Sequence, residues 1–440
     1  MVRIHQPKPR PGELRATRLE PRTKHLKLRT SILAPISKLL VLTSYLLVLA
    51  SCQPKAGTRQ FDPLRIAFTA TASPLLDGQL YPSLILATNS TDNPELPPPI
   101  TTQLTSPRDN AVLRIVIDSS ALNYVTMIQE ILPHRGETYT LIPQIKWKYE
   151  ALRNLRQPRP IDITLTCYIN DEQVDIKNLR LNARPVNECP LTLRSPDTLV
   201  DTRWLFAAYV NEDHPYIQQI LTDILDHDPT LRLNGYQSTP AGVERQVQAV
   251  WQYALRQGIT YASISCTSNP SPNANVQHIR FFDEIYRNRQ ANCIDACVFF
   301  ASILRKIGLK PVIFVEPCHA YLGYYTDKDR KNIALLETTV TSWINLPDLK
   351  RHLNDDGTLP QEQLDKVSRY LSPPQLQAWV EGRITYRQLE ETLGANLFEK
   401  ASQYNRESHQ ANRRHFADPD NIAYQQLDIE LMRQHVQPIQ

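Results

Sequence analysis

Three residues of this 440-residue chain are spaced to do nucleophilic chemistry together: Cys293, His319 and Glu337. Cys293 stands where the polar stretch Arg289-Gln290-Ala291-Asn292 gives way to Val298-Phe299-Phe300-Ala301-Ser302-Ile303-Leu304, a pattern that predicts a helix ending at Gly308. A cysteine at a helix start feels the positive end of the macrodipole and the unpaired backbone N–H groups of the first turn. Both favour the thiolate, the species that attacks carbonyls, and the same N–H groups can hold a developing oxyanion. His319 follows the cysteine by 26 residues and is a candidate base; Glu337 is a candidate orienting acid.

The elements between these residues must bring them together. Leu309–Val315 reads as an apolar strand, Glu316-Pro317-Cys318-His319 breaks it, and Ala320–Tyr325 resumes as a second strand. A polar turn at Thr326–Lys331 leads to a third strand, Ile333–Thr339. Adjacent antiparallel strands joined by that turn place Glu337 beside His319. Upstream, His214-Pro215 and Thr239-Pro240 each predict a helix start. The first apolar face is Tyr216, Ile217, Ile220, Ile224 and Leu225. The second is Val243, Val247, Val250, Trp251, Ala254 and Leu255, closed by Gly258.

The motifs Cys293-Ile294-Asp295, Ile307-Gly308-Leu309-Lys310-Pro311-Val312 and His319-Ala320-Tyr321, with an acid on a following strand, resemble the transglutaminase-like superfamily, a papain-like Cys-His-acid fold. The resemblance covers about residues 240–343 and extends more loosely to Trp204. It implies Cys293 as nucleophile, His319 as base and Glu337 at the third position. Asp295 matches an acidic residue that is usually structural there. Gln277-His278-Ile279-Arg280 and Glu284 resemble a stretch found before the cysteine in some bacterial relatives. Two residues depart from the pattern: most of the superfamily has Asp where Glu337 stands, and Gly is commoner where Cys318 stands. Gln277 and Tyr286 are weaker candidates for a side-chain oxyanion donor.

The rest of the chain sets the context. Short alternating runs at Val112–Ile117, Tyr139–Trp147, Ile161–Ile169 and Val174–Leu181, with Asn170-Asp171 at a turn, predict a small β-sandwich over 106–195. Residues 53–105, with Pro97-Pro98-Pro99, read as an extended linker. The transglutaminase-like domain spans 200–345. Residues 346–440 read as a helical extension with candidate helices at Gln361–Leu371, Pro374–Glu381 and Tyr386–Arg413. The basic Asn412-Arg413-Arg414 patch reads as a solvated helix surface. The expected class is therefore α+β: a β-sandwich, then a papain-like α+β domain, then a helical tail.

The net charge of +4 conceals an asymmetry, because residues 1–51 carry +8 and the remainder −4. The basic stretch precedes Leu39–Leu49, an apolar run too short for a spanning helix of about 20 residues. Leu49-Ala50-Ser51-Cys52 follows and resembles a bacterial lipobox, which implies lipidation at Cys52 and residues 1–52 as a signal segment. Gln53 after that cysteine leans toward the outer membrane. The basic pI thus reports targeting rather than nucleic-acid binding. Six cysteines remain for an oxidising compartment, among them Cys167 and Cys189, close enough in sequence to pair, and Cys318, a possible partner for Cys293 or Cys297. They have no zinc spacing, so neither metal nor cofactor is expected. Twelve glycines include no phosphate-binding loop. The expected activity is a cell-envelope thiol hydrolase or acyl transferase acting on a peptide, protein or peptidoglycan. The competing expectation is an inactive binding lipoprotein with the same fold.

Overall fold

The computed structural model of the chain describes residues 66–88, 96–263, 271–419 and 421–439. Residues 1–52, expected to be a signal segment with Cys52 as its lipidation site, and Cys266 lie outside the described residues. Helices and mostly antiparallel strands are both plentiful, so the class is α+β.

The first half carries two sheets. Strands β1 (Phe68–Ala72), β3 (Ile100–Thr105) and β6 (Thr138–Leu141) pair in the order β1-β3-β6. Strands β2 (Gln79–Leu80), β4 (Ala111–Ile117), β5 (Thr126–Leu132), β7 (Arg159–Ile169) and β8 (Glu172–Ala183) form a second sheet, ordered β2-β8-β7-β4-β5. The period of two decides which faces are buried. Ala111, Leu113, Ile115 and Ile117 of β4, and Ile161, Ile163, Leu165, Cys167 and Ile169 of β7, all point inward. Asn170 and Asp171 join β7 to β8 with positive φ at both positions, as a two-residue hairpin of matching twist requires. The described parts of the expected extended linker over 53–105, residues 66–88 and 96–105, differ from that expectation. Besides β1, β2 and β3 they hold helix α1 (Pro82–Thr88), because Phe68, Leu80, Leu84, Leu86, Ile100 and Leu104 are apolar enough to be buried. The expected strand Tyr139–Trp147 shortens to β6, since Pro143 offers no N–H to a ladder. Helix α2 (Tyr149–Arg153) leads into β7.

A third sheet joins the two halves. Strand β9 (Glu188–Ser195) lies between β10 (Thr198–Asp201) and β12 (Ala274–His278), and β12 enters the segment that precedes Cys293. Helix α3 (Phe206–Tyr209) is tied to the residues just before β9 by the Tyr209 hydroxyl, which donates to the Val186 carbonyl at 3.0 Å.

The second half is built around one buried helix. Helices α4 (Pro215–His227) and α5 (Pro240–Arg256) begin at the expected prolines. Leu225 is the exception to the predicted apolar face: it is exposed, about 100° round the helix from buried Ile224. The short strand β11 (Thr260–Tyr261) runs parallel to β13 (Gln290–Ala291), with helix α6 (Phe282–Asn288) between β12 and β13. Helix α7 (Cys293–Lys306) is apolar on nearly every side, which fits a central helix rather than a surface one. Val298, Phe299, Phe300, Ile303 and Leu304 are each 0% exposed. At about 1.5–3 kcal/mol per buried side chain, they contribute on the order of 10 kcal/mol gross toward holding the helix that begins at Cys293 in place.

Against α7 lies a four-stranded antiparallel sheet, ordered β16-β15-β14-β17. Its members are β14 (Pro311–Glu316), β15 (His319–Tyr325), β16 (Ile333–Leu336) and β17 (Gln425–Asp428). Helices α8 (Leu346–Arg351), α9 (Gln361–Ser368), α10 (Pro373–Val380), α11 (Tyr386–Tyr404), α12 (Arg406–Ala417) and α13 (Ile429–Met432) complete the chain. They are not an appendage. α11 packs on α5 so closely that a Cβ at Gly394 would meet the Gln252 side chain, and the Trp251 indole donates to the Gly394 carbonyl at 3.2 Å. Strand β17 extends the sheet, and the chain end returns to α1 and α3 through Gln437 N to Ala87 O and Ile439 N to Ala208 O. Arg413 and Arg414 are exposed on α12, in keeping with a solvated surface.

Candidate active site

Cys293 is the first residue of α7, and a capping arrangement fixes the direction in which that helix begins. The Asn292 side chain accepts from the Asp295 N–H at 2.9 Å, and the Asp295 carboxylate accepts from the Asn292 N–H at 3.0 Å. Two more donors come from Arg280: its backbone N–H at 2.8 Å and its guanidinium at 2.7 Å from the Asp295 oxygens. Asp295 is 0% exposed. Burial pushes its carboxyl pKa up, against the opposing pull of the Asn292 and Arg280 hydrogen bonds. A buried carboxylate with three donors is a structural clamp, and it gives the Gln277–Arg280 stretch a purpose. Arg280, just past the end of β12, is locked to the helix that begins at Cys293. The N–H groups of Cys293 and Ile294 have no carbonyl four residues earlier within the helix to bond, so they remain available to an oxyanion.

His319 is placed by a hairpin. Glu316 pairs with His319 across β14 and β15, leaving Pro317-Cys318 as a two-residue turn. Cys318 has φ of 64°, the conformation Gly adopts most cheaply, with Pro at the preceding position as in a type II turn. Glu337 lies just past the end of β16 rather than within a strand. The β15–β16 register aligns Leu322 with Leu336, so its continuation would set Glu337 opposite Tyr321, two residues along from His319. That is a diagonal same-face neighbour, within reach of a long side chain. The extra methylene of Glu relative to Asp suits that separation.

The three residues meet. The His319 Nε2–H donates to Glu337 Oε2 at 2.8 Å, and Cys293 lies near enough to the imidazole to influence its titration. Cys293 first, and then the bond to Glu337, raise the imidazole pKa to about 10 against the opposing effect of burial. The ring is thus an imidazolium at neutral pH. Glu337 is 1% exposed. Burial raises its pKa, but the bond and charge of His319 and the bonds from Thr339 outweigh this and leave it below the usual range. Thr339 donates to Oε1 from its backbone N–H at 2.9 Å and its hydroxyl at 2.7 Å.

Sequence reasoning missed the fourth donor. Asn405 Nδ2 donates to Glu337 Oε2 at 2.7 Å, and the Glu337 N–H donates to the Ala401 carbonyl at 2.9 Å. Both come from the end of α11, inside what reads as one continuous helix. The signal available was Asn itself, a residue suited to helix ends, at the position where α11 stops and α12 starts. Glu316 is a second unanticipated carboxylate near the site. Burial raises its pKa and the charge of His319 lowers it.

The remaining candidates are dispersed. Gln277 donates to the His278 carbonyl, Tyr286 stacks on Tyr216 with ring centres 4.5 Å apart, and Glu284 accepts from the Phe281 N–H at 3.0 Å. Cys167 and Cys189 are separate buried thiols on different sheets, which corrects the suggested pairing. Cys318 is an exposed free thiol, bonded to neither Cys293 nor Cys297. Cys297 is fully buried one turn along α7, 3.9 Å from the Thr338 hydroxyl, and burial pushes its thiol far up. Among the described residues, no helix is long and apolar enough to cross a membrane. No protein-family model matches the chain, and a comparison with curated proteins finds none that matches.

Proposed function

We propose that this protein is a thiol-dependent hydrolase or acyl transferase of the transglutaminase-like kind. In this reading residues 200–345 form the papain-like domain, the preceding sheets form a β-sandwich, and the helical C-terminal segment braces the acid. The observation that carries it is the placing of Cys293 at the start of α7 beside His319, whose imidazole is bonded to the buried Glu337 carboxylate at 2.8 Å. The Cys293 sulfur attacks the carbonyl carbon of an amide, and the resulting oxyanion is held by first-turn N–H groups of α7. The C–N bond then breaks as the imidazolium gives its proton to the leaving amine. Water or an acceptor amine, deprotonated by the now neutral imidazole, attacks the thioester, and the thiolate departs. The proposed substrate is a protein, peptide or peptidoglycan, met at the cell envelope by a chain anchored to the membrane through lipid on Cys52 and facing the periplasm.

The test is the pH dependence of Cys293 alkylation by iodoacetamide in the reduced full-length chain in detergent, wild type against His319→Ala. Fast labelling near pH 6 that slows about 10- to 100-fold in the variant supports an assembled ion pair. An ordinary thiol with pKa of about 8.5 is scarcely ionised at that pH. Labelling that rises only near pH 8.5 in both proteins would refute the assignment.

A further inference from the structure

A second concentration of charge lines a cleft of about 430 Å³ to which no triad residue contributes. Arg245, Gln248, Gln252 and Arg256 recur at helical spacing, so α5 turns one polar stripe toward it. From the other wall α11 supplies Arg387 and Glu391, and α4 ends there at His227. Gln252 ties the two walls together by donating to the Glu391 carbonyl at 3.0 Å. The volume falls within the range of about 300–1,000 Å³ typical of small-molecule sites.

The charges lining the cleft do not balance. Arg245 holds Asp228 at 2.8 Å, and Arg387 holds Glu391 at 3.1 Å. The third guanidinium, on half-buried Arg256, makes no hydrogen bond or ion pair among the described residues. Burial lowers its pKa; Glu390 and Glu391 counter this from longer range, and Arg387 adds to it. Burial, then the charges of Arg256 and Arg387, also push the His227 pKa down. Its Nε2 is buried without a hydrogen-bond partner, with Glu391 Oε1 standing 3.5 Å away. Three guanidinium groups thus share the cleft with two carboxylates, and one of the three is left unpaired where water is partly excluded. A charge in that position is unfavourable until a counter-ion reaches it. Arg245 engages its partners through Nη2, and Arg387 through Nε and Nη2, so Nη1 of each is also uncommitted among the described residues.

We propose that this cleft binds the phosphate group of a small organic molecule. Guanidinium groups present forked N–H pairs that match phosphate oxygens. The oxygens of a phosphate can answer donors arriving from α5 and α11 together, whereas a carboxylate has only two. Arg256 supplies the unpaired charge, and the rest of the volume houses the organic remainder. The inference is independent of the acyl-transfer reading. The test is calorimetric titration of the full-length chain in detergent, at fixed ionic strength, with inorganic phosphate, glycerol 3-phosphate and acetate. Both phosphates should bind at one equivalent, glycerol 3-phosphate at least as tightly as inorganic phosphate, and acetate about tenfold or more weakly, as the loss of one charged hydrogen bond implies. Arg256→Gln, and independently Arg387→Gln from the opposite wall, should each weaken phosphate about 10- to 100-fold, whereas Arg413→Gln on exposed α12 should leave it unchanged. Acetate binding as tightly as phosphate, or phosphate binding untouched by both cleft variants, would overturn the proposal. So would binding only to phosphatidylglycerol vesicles, or no saturable binding of either soluble phosphate below about 10 mM.

Discussion

Replacing Glu337 by Gln asks whether the buried carboxylate sets both the charge and the tautomer of His319. The carboxylate accepts four hydrogen bonds, from His319 Nε2, Asn405 Nδ2, the Thr339 N–H and the Thr339 hydroxyl. A carboxamide keeps the shape but has one acceptor oxygen and an NH₂ group. With its oxygen toward Thr339, the NH₂ faces the Nε2 of His319 and the Nδ2 of Asn405. The imidazole can then accept only by carrying its proton on Nδ1, which leaves no basic nitrogen toward Cys293. Turned the other way, the NH₂ opposes the Thr339 N–H. Either pose strands a buried donor, at a cost of about 1–3 kcal/mol. The same carboxylate-to-amide change in a Ser-His-Asp triad lowers kcat by about 10⁴ through the wrong tautomer. Glu337→Gln is therefore expected to slow the proposed acyl transfer by about 10³- to 10⁴-fold and to slow Cys293 alkylation near neutral pH by at least about tenfold. The imidazole titration, at about 10 in the wild type, should move down. Mass-spectrometric labelling rates across a pH series, with nitrogen NMR of the histidine, read both effects. A variant that labels at the wild-type rate, with its imidazole still titrating near 10, would refute the reasoning.

Arg280→Ala leaves Asp295 buried without its guanidinium and should cost about 3–5 kcal/mol; Arg280→Ala with Asp295→Ala should cost less than the single change, and equal Tm values for wild type and single variant would count against the clamp. Cys318→Gly removes a left-handed strain of about 1–2 kcal/mol, partly offset by the freedom Gly adds to the unfolded chain. A small rise in Tm is therefore expected, and a fall would show that the thiol has a structural partner. His319 has its folded pKa raised from 6.5 to about 10, so its contribution to stability is complete below pH 6.5 and disappears as pH rises through about 10. Wild-type Tm should accordingly decline over that window more steeply than that of His319→Ala, and parallel declines would argue against the pairing. Burial raises the Cys167 thiol to about 12 and holds Cys189 and Cys297 well above their ordinary value. Brief native alkylation should therefore mark Cys293 and exposed Cys318 but none of those three, and early labelling of Cys297 would contradict the packing of α7.

Much of this molecule follows from local rules. The starts of α4 and α5 follow from a proline at the first helical position, and the end of α7 from Gly308. The β7–β8 hairpin follows from alternation and from Asn170-Asp171. Even the meeting of His319 with Glu337 was legible, because a short polar turn leaves two neighbouring strands little choice of register. Each of these depends on side chains within a few residues of one another.

What only the tertiary structure decided is how these pieces are held. Asp295 was legible as an acid at a helix start, but its partner Arg280 is 15 residues away and its role appears only once β12 is seated on β9. Asn405 lies 68 residues from Glu337 and bonds to it only because α11 is drawn onto α5 and β16. Strand β17 enters the sheet more than 100 residues after β14, whose edge it covers, and strand β2, within the expected linker, pairs with β8 about 100 residues later. Local sequence determines which conformations a segment prefers. Which distant donor reaches a buried carboxylate depends on where the apolar faces come to rest, since a buried charge is tolerated only where folding has already brought its partners.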